Sequence, residues 1–316
     1  MNTDERSREE APPRRDGLVV VDKPAGLTSH DVVARMRRIV GTRRVGHAGT
    51  LDPMATGVLV IGVEKATRLL HHLVLTDKAY SATIRLGAAT TTDDADGEQV
   101  GGTSTRTLGD DAVRAAMPAL TGHIEQVPAA VSAIKVAGRR AYARAWAGEA
   151  VELAARPVIV QRFEATAFRR PAPDLLDVDV EVECSSGTYV RALARDLGVA
   201  LGVGGHLTAL RRTRVGPFAL DQARTLDELA RLADPVTMPL AAAVRAALPA
   251  REITAADARE LSFGRTLPAV GIGGTYGAFA PDGAVVALLT EQADDARPVL
   301  VFVAAGGASG QPDAVG

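Results

Sequence analysis

The stretch GHAGTLDPMATG, residues 46–57, sets a single carboxylate, Asp52, among glycines, threonines and alanines. It is the only acid between Asp31 and Glu64. Gly46, Gly49 and Gly57 permit close backbone approach, and Ala48, Thr50, Ala55 and Thr56 leave space beside the carboxylate. An aspartate before a proline often does no more than close an Asx turn. With room for a ligand it can instead attack an electrophilic carbon. Glycoside hydrolysis would require a second framed acid, and none is close in sequence. Either a distant carboxylate joins Asp52, or the chemistry has no leaving group to protonate.

Three further positions could act with it. Arg191, in SSGTYVRALARDLG, falls in the first turn of an expected helix. There it either pairs with Asp196 on the surface or turns toward Asp52, holding it ionised through paired N–H donors. Tyr80 and Tyr189 are two of only four tyrosines. Both suit a core, but a phenol beside a base can also stack on a ring and move a proton. His47 precedes the Asp52 loop and is expected to be neutral.

These residues need elements to hold them. GLVVVDKP reads as a buried strand entering a turn, and Ser29 as the N-cap of the helix SHDVVARMRRIVG, which places Val32, Val33, Met36 and Val40 on one face. GVLVIGV is a continuously apolar strand, and KAYSATIRLG alternates as a half-buried one does. TTTDDADGEQVGGTST is a polar, acidic loop. RPVIVQRFEATAFRR and DLLDVDVEVEC read as strands, the second feeding the helix that carries Arg191. No glycine-rich dinucleotide fingerprint follows any strand. The expected architecture is α+β: a catalytic domain over residues 17–250 with a long mixed, mainly antiparallel sheet, then a small β-rich domain over 251–305. Residues 1–16 and 306–316 are expected to be disordered or flexible tails.

Composition narrows the chemistry. The net charge is −2, with 36 basic against 38 acidic side chains, but the signs are segregated. Arg35, Arg37, Arg38, Arg43 and Arg44 lie in an acid-free run, with further clusters at Arg139, Arg140 and Arg144 and at Arg211, Arg212 and Arg214. After Val215 seven arginines face twelve acids. Such clusters suit a phosphate-binding face on a mildly acidic protein. The six histidines show no metal-ligand spacing with the single cysteine, Cys184, or with acids. No apolar run approaches the roughly 20 residues of a membrane span, and the N-terminus has no signal-peptide core. A cytoplasmic monomer without metal or nucleotide cofactor is expected.

In order along the chain stand VDKPAGLTSHDVV, RRVGHAGTLDPMATGVLVIGVEKATR, DKAYSATIRLGAATTTDDADG, CSSGTYVRALARDLG and HLTALRRTRVGPF. Together, from Gly17 to Phe218, they resemble the TruB family of tRNA pseudouridine synthases. The resemblance implies a pseudouridine-synthase-like fold, a C-terminal RNA-binding (PUA-like) appendage, and isomerisation of uridine at position 55 in the TΨC stem-loop of tRNA, with no cofactor. It implies that Asp52 is the catalytic aspartate and Arg191 the arginine paired with it. Tyr80 corresponds to the tyrosine that stacks on the target uracil and is proposed as a base. His47 corresponds to the histidine that contacts the rearranged RNA loop, Lys23 and Pro24 to a motif supporting the active-site loop, and Leu210 to an apolar wall of the uracil pocket. Tyr189 joins the substrate-binding set, with Arg43, Arg44, Arg211 and Arg212 as phosphate grips. Two departures, Val131 where many members have tyrosine and Trp146 where a basic residue is common, fall outside the catalytic set.

Uridine-to-pseudouridine isomerisation breaks C1′–N1 and joins C1′ to C5, so the base leaves and returns within one pocket. No second carboxylate is then required. Whether Asp52 attacks C1′ or C6 of the ring, or stabilises a sugar cation, stays open in the sequence. Two other readings keep the same residues: an RNA-guided pseudouridine synthase, and an RNA-binding tRNA-folding factor.

Overall fold

The computed structural model describes residues 15–129 and 154–303, together with the backbone of two short strands at 135–136 and 139–140. The side chains of Arg139 and Arg140, along with Val131, Arg144, Trp146 and all but two residues of the expected tails, lie outside the described residues.

The first sheet has ten strands. β1 (Gly17–Lys23) and β3 (Thr56–Val63) are nearly continuous apolar runs because both faces are covered. Between them come α1 (Ser29–Ile39) and β2 (Val45–Ala48), and after them the short helix α2 (Leu70–Val74). β4 (Lys78–Leu86) alternates strictly, with Lys78, Tyr80, Ala82, Ile84 and Leu86 buried. β5 (Gly122–Gln126), β6 (Arg156–Ala172) and β7 (Leu175–Cys184) extend the sheet, and α3 (Val190–Ala200) leads from β7 into β8 (Gly205–Val215). Short strands β9 (Phe218–Ala219) and β10 (Met238–Pro239) complete it. The strand order is β10-β1-β3-β8-β4-β7-β6-β5, with β2 on β3 and β9 on β8. Only β3 and β8 run parallel within this order, through Thr56↔Arg211 and Gly57↔Arg212.

The helix α1 departs from expectation at its start. Thr28, not Ser29, is the N-cap, accepting from the Asp31 amide while the Asp31 carboxylate accepts from the Thr28 amide. Ser29 is left free for a different task, described below.

A second sheet follows the helix α4 (Leu240–Ala247). Its strands are β11 (Ala250–Glu252), β12 (Leu267–Pro268), β13 (Thr275–Phe279), β14 (Val285–Gln292) and β15 (Asp295–Val301), in the order β11-β13-β14-β15-β12. It has its own core, around Ile253, Leu261, Tyr276, Ala287 and Leu289. A shared core of Leu18, Val20, Val58, Val60, Phe218, Phe279, Leu288 and Phe302 joins it to the back of the first sheet. The main core, with Met36, Ile61, Tyr80, Ile84, Val180, Leu193 and Leu207, lies on the opposite side, toward α1 and α3. No helix among the described residues is long and apolar enough to cross a membrane.

Candidate active site

The loop between β2 and β3 carries Asp52, and the chain anchors it from several sides. Lys23, fully buried at the end of β1, donates from Nζ to the carbonyls of Pro24 (3.0 Å), Leu27 (2.6 Å) and Pro53 (3.1 Å). One ammonium thereby ties the turn after β1 to the residue following Asp52. Burial pulls its pKa down to about 8, with Asp52 opposing. The Gly26 amide donates to the same Pro53 carbonyl. Ser29 exchanges hydrogen bonds with Leu51, receiving its amide at 2.9 Å and donating to its carbonyl at 3.2 Å.

From the other side comes Arg191, in the first turn of α3 and only 4% exposed. Its Nε lies 2.9 Å from Asp52 Oδ2, and its Nη1 lies 3.4 Å from Asp94 Oδ2 and donates to the Thr92 carbonyl at 2.9 Å. Of the two alternatives for Arg191, the surface pair with Asp196 does not form: Asp196 is held by Arg195. A distant carboxylate does join Asp52 after all. Asp94 is buried and takes hydrogen bonds from Thr92 Oγ1 and the Asp96 amide, so its oxygens orient Arg191 and face no ligand. Burial pushes the Asp52 carboxyl above the ordinary carboxylate value; Arg191 opposes this and Asp94 adds to it. The Asp52 side chain is nonetheless 36% exposed, because it borders a cleft.

That cleft has a volume of about 320 Å³, in the range of small-ligand sites, and is lined by Asp52, Tyr80, Tyr189, Arg191, Leu210 and Arg212, and also by Lys78 and Ser186–Thr188. Tyr80 projects from the buried face of β4, and its burial pushes the phenol's pKa up, with Arg212 pulling it back. Leu210 and Arg212 come from the same face of β8. Tyr189 is the N-cap residue of α3; its amide donates to Gln126 Oε1 (2.8 Å) and its carbonyl accepts from Gln126 Nε2 (3.1 Å). His47 stands on β2 outside the cleft lining, edge-on to His30 with ring centroids 5.6 Å apart, and burial lowers its pKa toward the neutral imidazole.

The expected phosphate grips divide. Arg43 and Arg44 are exposed, as are Arg35, Arg37 and Arg38. Arg211 is partly exposed, but its guanidinium is engaged in a two-pronged pair with Asp22, 3.0 and 2.7 Å. Arg212 is 1% exposed and reaches the cleft from beneath, so it is no exposed grip. Arg214 pairs with Glu183 at 3.1 Å. Sequence reasoning missed Asp94, Gln126 and Lys78. Lys78 was discoverable, since strand alternation puts it on the face of Tyr80. Its Nζ donates to Val74 and Thr76 carbonyls, and burial lowers its pKa to about 8.

A buried arginine thus presents an aspartate to a cleft open to solvent. The model of the TruB family pseudouridylate synthase N-terminal domain matches residues 37–190. The model of the tRNA pseudouridylate synthase B C-terminal domain matches 191–245, and that of the tRNA pseudouridine synthase II C-terminal region 248–303. A Nocardia farcinica protein named tRNA pseudouridine synthase B is 64% identical over 296 residues, covering 92% of this chain and 96% of that protein. The chain belongs to the TruB family of pseudouridylate synthases. A protein of the same name from Arthrobacter sp. is 61% identical over 296 residues, 90% of this chain and 96% of its own. Among solved structures, a chain of a Cbf5-Nop10-Gar1 complex matches with a TM-score of 0.70 and 28% identity, over 91% of this chain and 85% of that one. The fold class inferred from the sequence, mixed α+β with a C-terminal β-rich part, is the one this family and these neighbours have.

Proposed function

We propose that this enzyme isomerises uridine 55 in the TΨC stem-loop of tRNA, acting alone as a cytoplasmic monomer, with Asp52 as its catalytic residue. The observation that carries this reading is the Arg191–Asp52 contact at 2.9 Å on the edge of a cleft also lined by Tyr80 and Leu210. Arg191 holds the carboxylate ionised and aimed, and Tyr80 presents a ring on which a flipped uracil stacks. The target base leaves its stack at a cost of a few kcal/mol, offset by phosphate contacts from Arg43 and Arg44. His47, neutral beside the loop, contacts the RNA where the base has left. Residues 17–250 act as the catalytic domain and residues 251–305 as the RNA-binding appendage.

The balance of the reaction is internal. C1′–N1 breaks, C1′–C5 forms, one proton leaves C5 and one arrives at N1. The Tyr80 phenol, kept protonated by burial, can supply the proton that N1 gains and, as the resulting phenolate, take the one that C5 loses, so no co-reactant is consumed. Glycosidic hydrolysis fits less well, since Asp94, the nearby second acid, faces Arg191 and not the cleft.

A guided enzyme is the competing reading, because a neighbour with a TM-score of 0.69 and 26% identity is described as an H/ACA RNP bound to a substrate RNA. The relatives at 61–64% identity carry the tRNA enzyme's name, which supports the stand-alone reading. The test is tritium release from unmodified tRNA labelled at uridine C5. Wild type without guide RNA is expected to release one equivalent per tRNA, and Asp52→Asn none. Tight tRNA binding without release by wild type would sink the proposal.

A further inference from the structure

Arg212 is among the largest fully buried side chains of the molecule and carries a charge that is never lost at physiological pH. Burying such a group is costly unless every donor finds a partner. Its Nε donates to the Val58 carbonyl at 2.7 Å, Nη2 to Gly49 at 3.1 Å and Nη1 to Thr50 at 3.3 Å. Gly49 and Thr50 are in the loop that carries Asp52. The guanidinium also lines the cleft beside Tyr80, where its charge favours the ionised phenol. The backbone explains how one side chain reaches both. Arg212 is the direct cross-strand partner of Tyr80 in the β8–β4 pairing and of Gly57 in the parallel β8–β3 pairing. A Cβ at Gly57, where φ is +98°, would lie 2.2 Å from the Arg212 carbonyl oxygen, so only glycine lets the strands close here. Gly49, at φ +80°, passes directly over Arg212 Nη1 and Lys78 Cε.

We infer that Arg212 is a positioning residue for the isomerisation, a single guanidinium that ties the Asp52 loop to β8 directly beside Tyr80, so that the carboxylate and the phenol keep one relative placement. It touches neither a phosphate nor the reacting atoms. The inference rests on the roles given above to Asp52 and Tyr80. A planar fork suits the task, because its donors diverge in fixed directions toward two carbonyls of one loop. The same guanidinium makes the Tyr80 phenolate less costly than burial alone would leave it. Tyr80 is faced by Asp52 from the loop, Cys184 from β7 and Arg212 from β8, and of these Arg212 is the one cation.

The experiment compares Arg212→Met and Arg212→Lys with wild type and Asp52→Asn, on full-length protein and unmodified tRNA. Single-turnover isomerisation by Arg212→Met is expected to fall about 100-fold, the scale of a misplaced catalytic group, with tRNA affinity unchanged. Arg212→Lys should regain part of that loss. Tyrosine labelled at Cζ, with Tyr80 assigned from Tyr80→Phe, should show Tyr80 ionising at higher pH in Arg212→Met than in wild type, and Arg212→Lys should lie between them. A wild-type rate in Arg212→Met, a loss confined to tRNA affinity, or an unmoved Tyr80 ionisation would each overturn the inference. Should neither Arg212 variant fold, Tyr80→Phe decides by itself: the Arg212 Nε and the Gly49 and Thr50 amide resonances shift if the coupling exists and stay in place if it does not. Asp52→Asn keeps the outcomes apart. If it isomerises tRNA, the underlying reading fails; if it is inactive while Arg212→Met is normal, only the role of Arg212 fails.

Discussion

Two arginine runs that look alike in sequence differ in their partners. Arg43 and Arg44 follow α1 with their guanidiniums in solvent, Arg44 facing Glu64 only loosely at 3.8 Å. Arg211, Arg212 and Arg214 lie on β8 between β3 and β4, and each has a partner of its own: Asp22, the Asp52 loop and Glu183. Arg191 belongs with this inner group. Whether a charge meets RNA is decided by the neighbours of its element, not by the density of charge along the chain. An arginine in the loop after a surface helix has only water to satisfy it. An arginine on a central strand must be satisfied by protein, and there it acts on geometry.

The largest contrast is expected at Arg191. Arg191→Met leaves Asp94 buried without its cation and Asp52 without its orienting donor. Breaking a buried pair costs about 3–5 kcal/mol, so chemical denaturation should show a loss of that order. Turnover at saturating tRNA should fall by about 100- to 1,000-fold, the scale for removing one preorganised donor. If isomerisation by Arg191→Met fell only through weaker tRNA binding, inner and outer arginines would be doing the same job and the contrast would collapse.

Much of this inner arrangement was legible. Asp52 stood out because glycine and alanine frame it, and Tyr80 because β4 alternates without interruption. The direction of Arg191 followed from a strand feeding a helix start. Asp94 did not follow, since its loop read only as polar and the contact to Arg191 spans nearly a hundred positions. Arg212 was misread as a phosphate grip because nothing local reveals a parallel β3–β8 junction. Gly57, read only as permitting close backbone approach, was the trace of that junction in the sequence. Ser29 was misplaced as the helix cap because Thr28 offers the same chemistry one residue earlier, with Asp31 completing the capping box.

A smaller effect separates Asp52 from an ordinary surface acid by pH. Its folded carboxyl titrates above the unfolded value. Catalysis that needs the carboxylate should therefore fade on acidification at a higher pH than a solvent-exposed aspartate would give, tenfold per pH unit on the acid limb. The stability sign is opposite to that of a salt-bridged acid. Between the unfolded and folded values the native state binds the extra proton, so stability falls as pH rises through that window. Asp52→Asn should melt no lower than wild type at neutral pH, with any advantage gone below the unfolded carboxyl value. A variant markedly less stable at neutral pH would mean that the Arg191 contact outweighs burial.

The smallest effect tests the outer arginines. Changing Arg43 and Arg44 together to alanine removes two exposed charges and no buried contact, so the melting temperature should stay within about a degree or two, as for most surface substitutions. If both meet phosphates, the slope of log affinity for tRNA against log salt should shrink by about 2, one per lost contact. Arg211→Ala makes the matched control on β8. It exposes Asp22, whose carboxylate Arg211 holds at 2.7 Å, yet should leave the salt slope where wild type has it, because that guanidinium is already occupied. Equal slopes for the two variants would show that Arg211 exchanges Asp22 for phosphate when tRNA binds. The outer face would then extend across β8, and only Arg191 and Arg212 would remain inside.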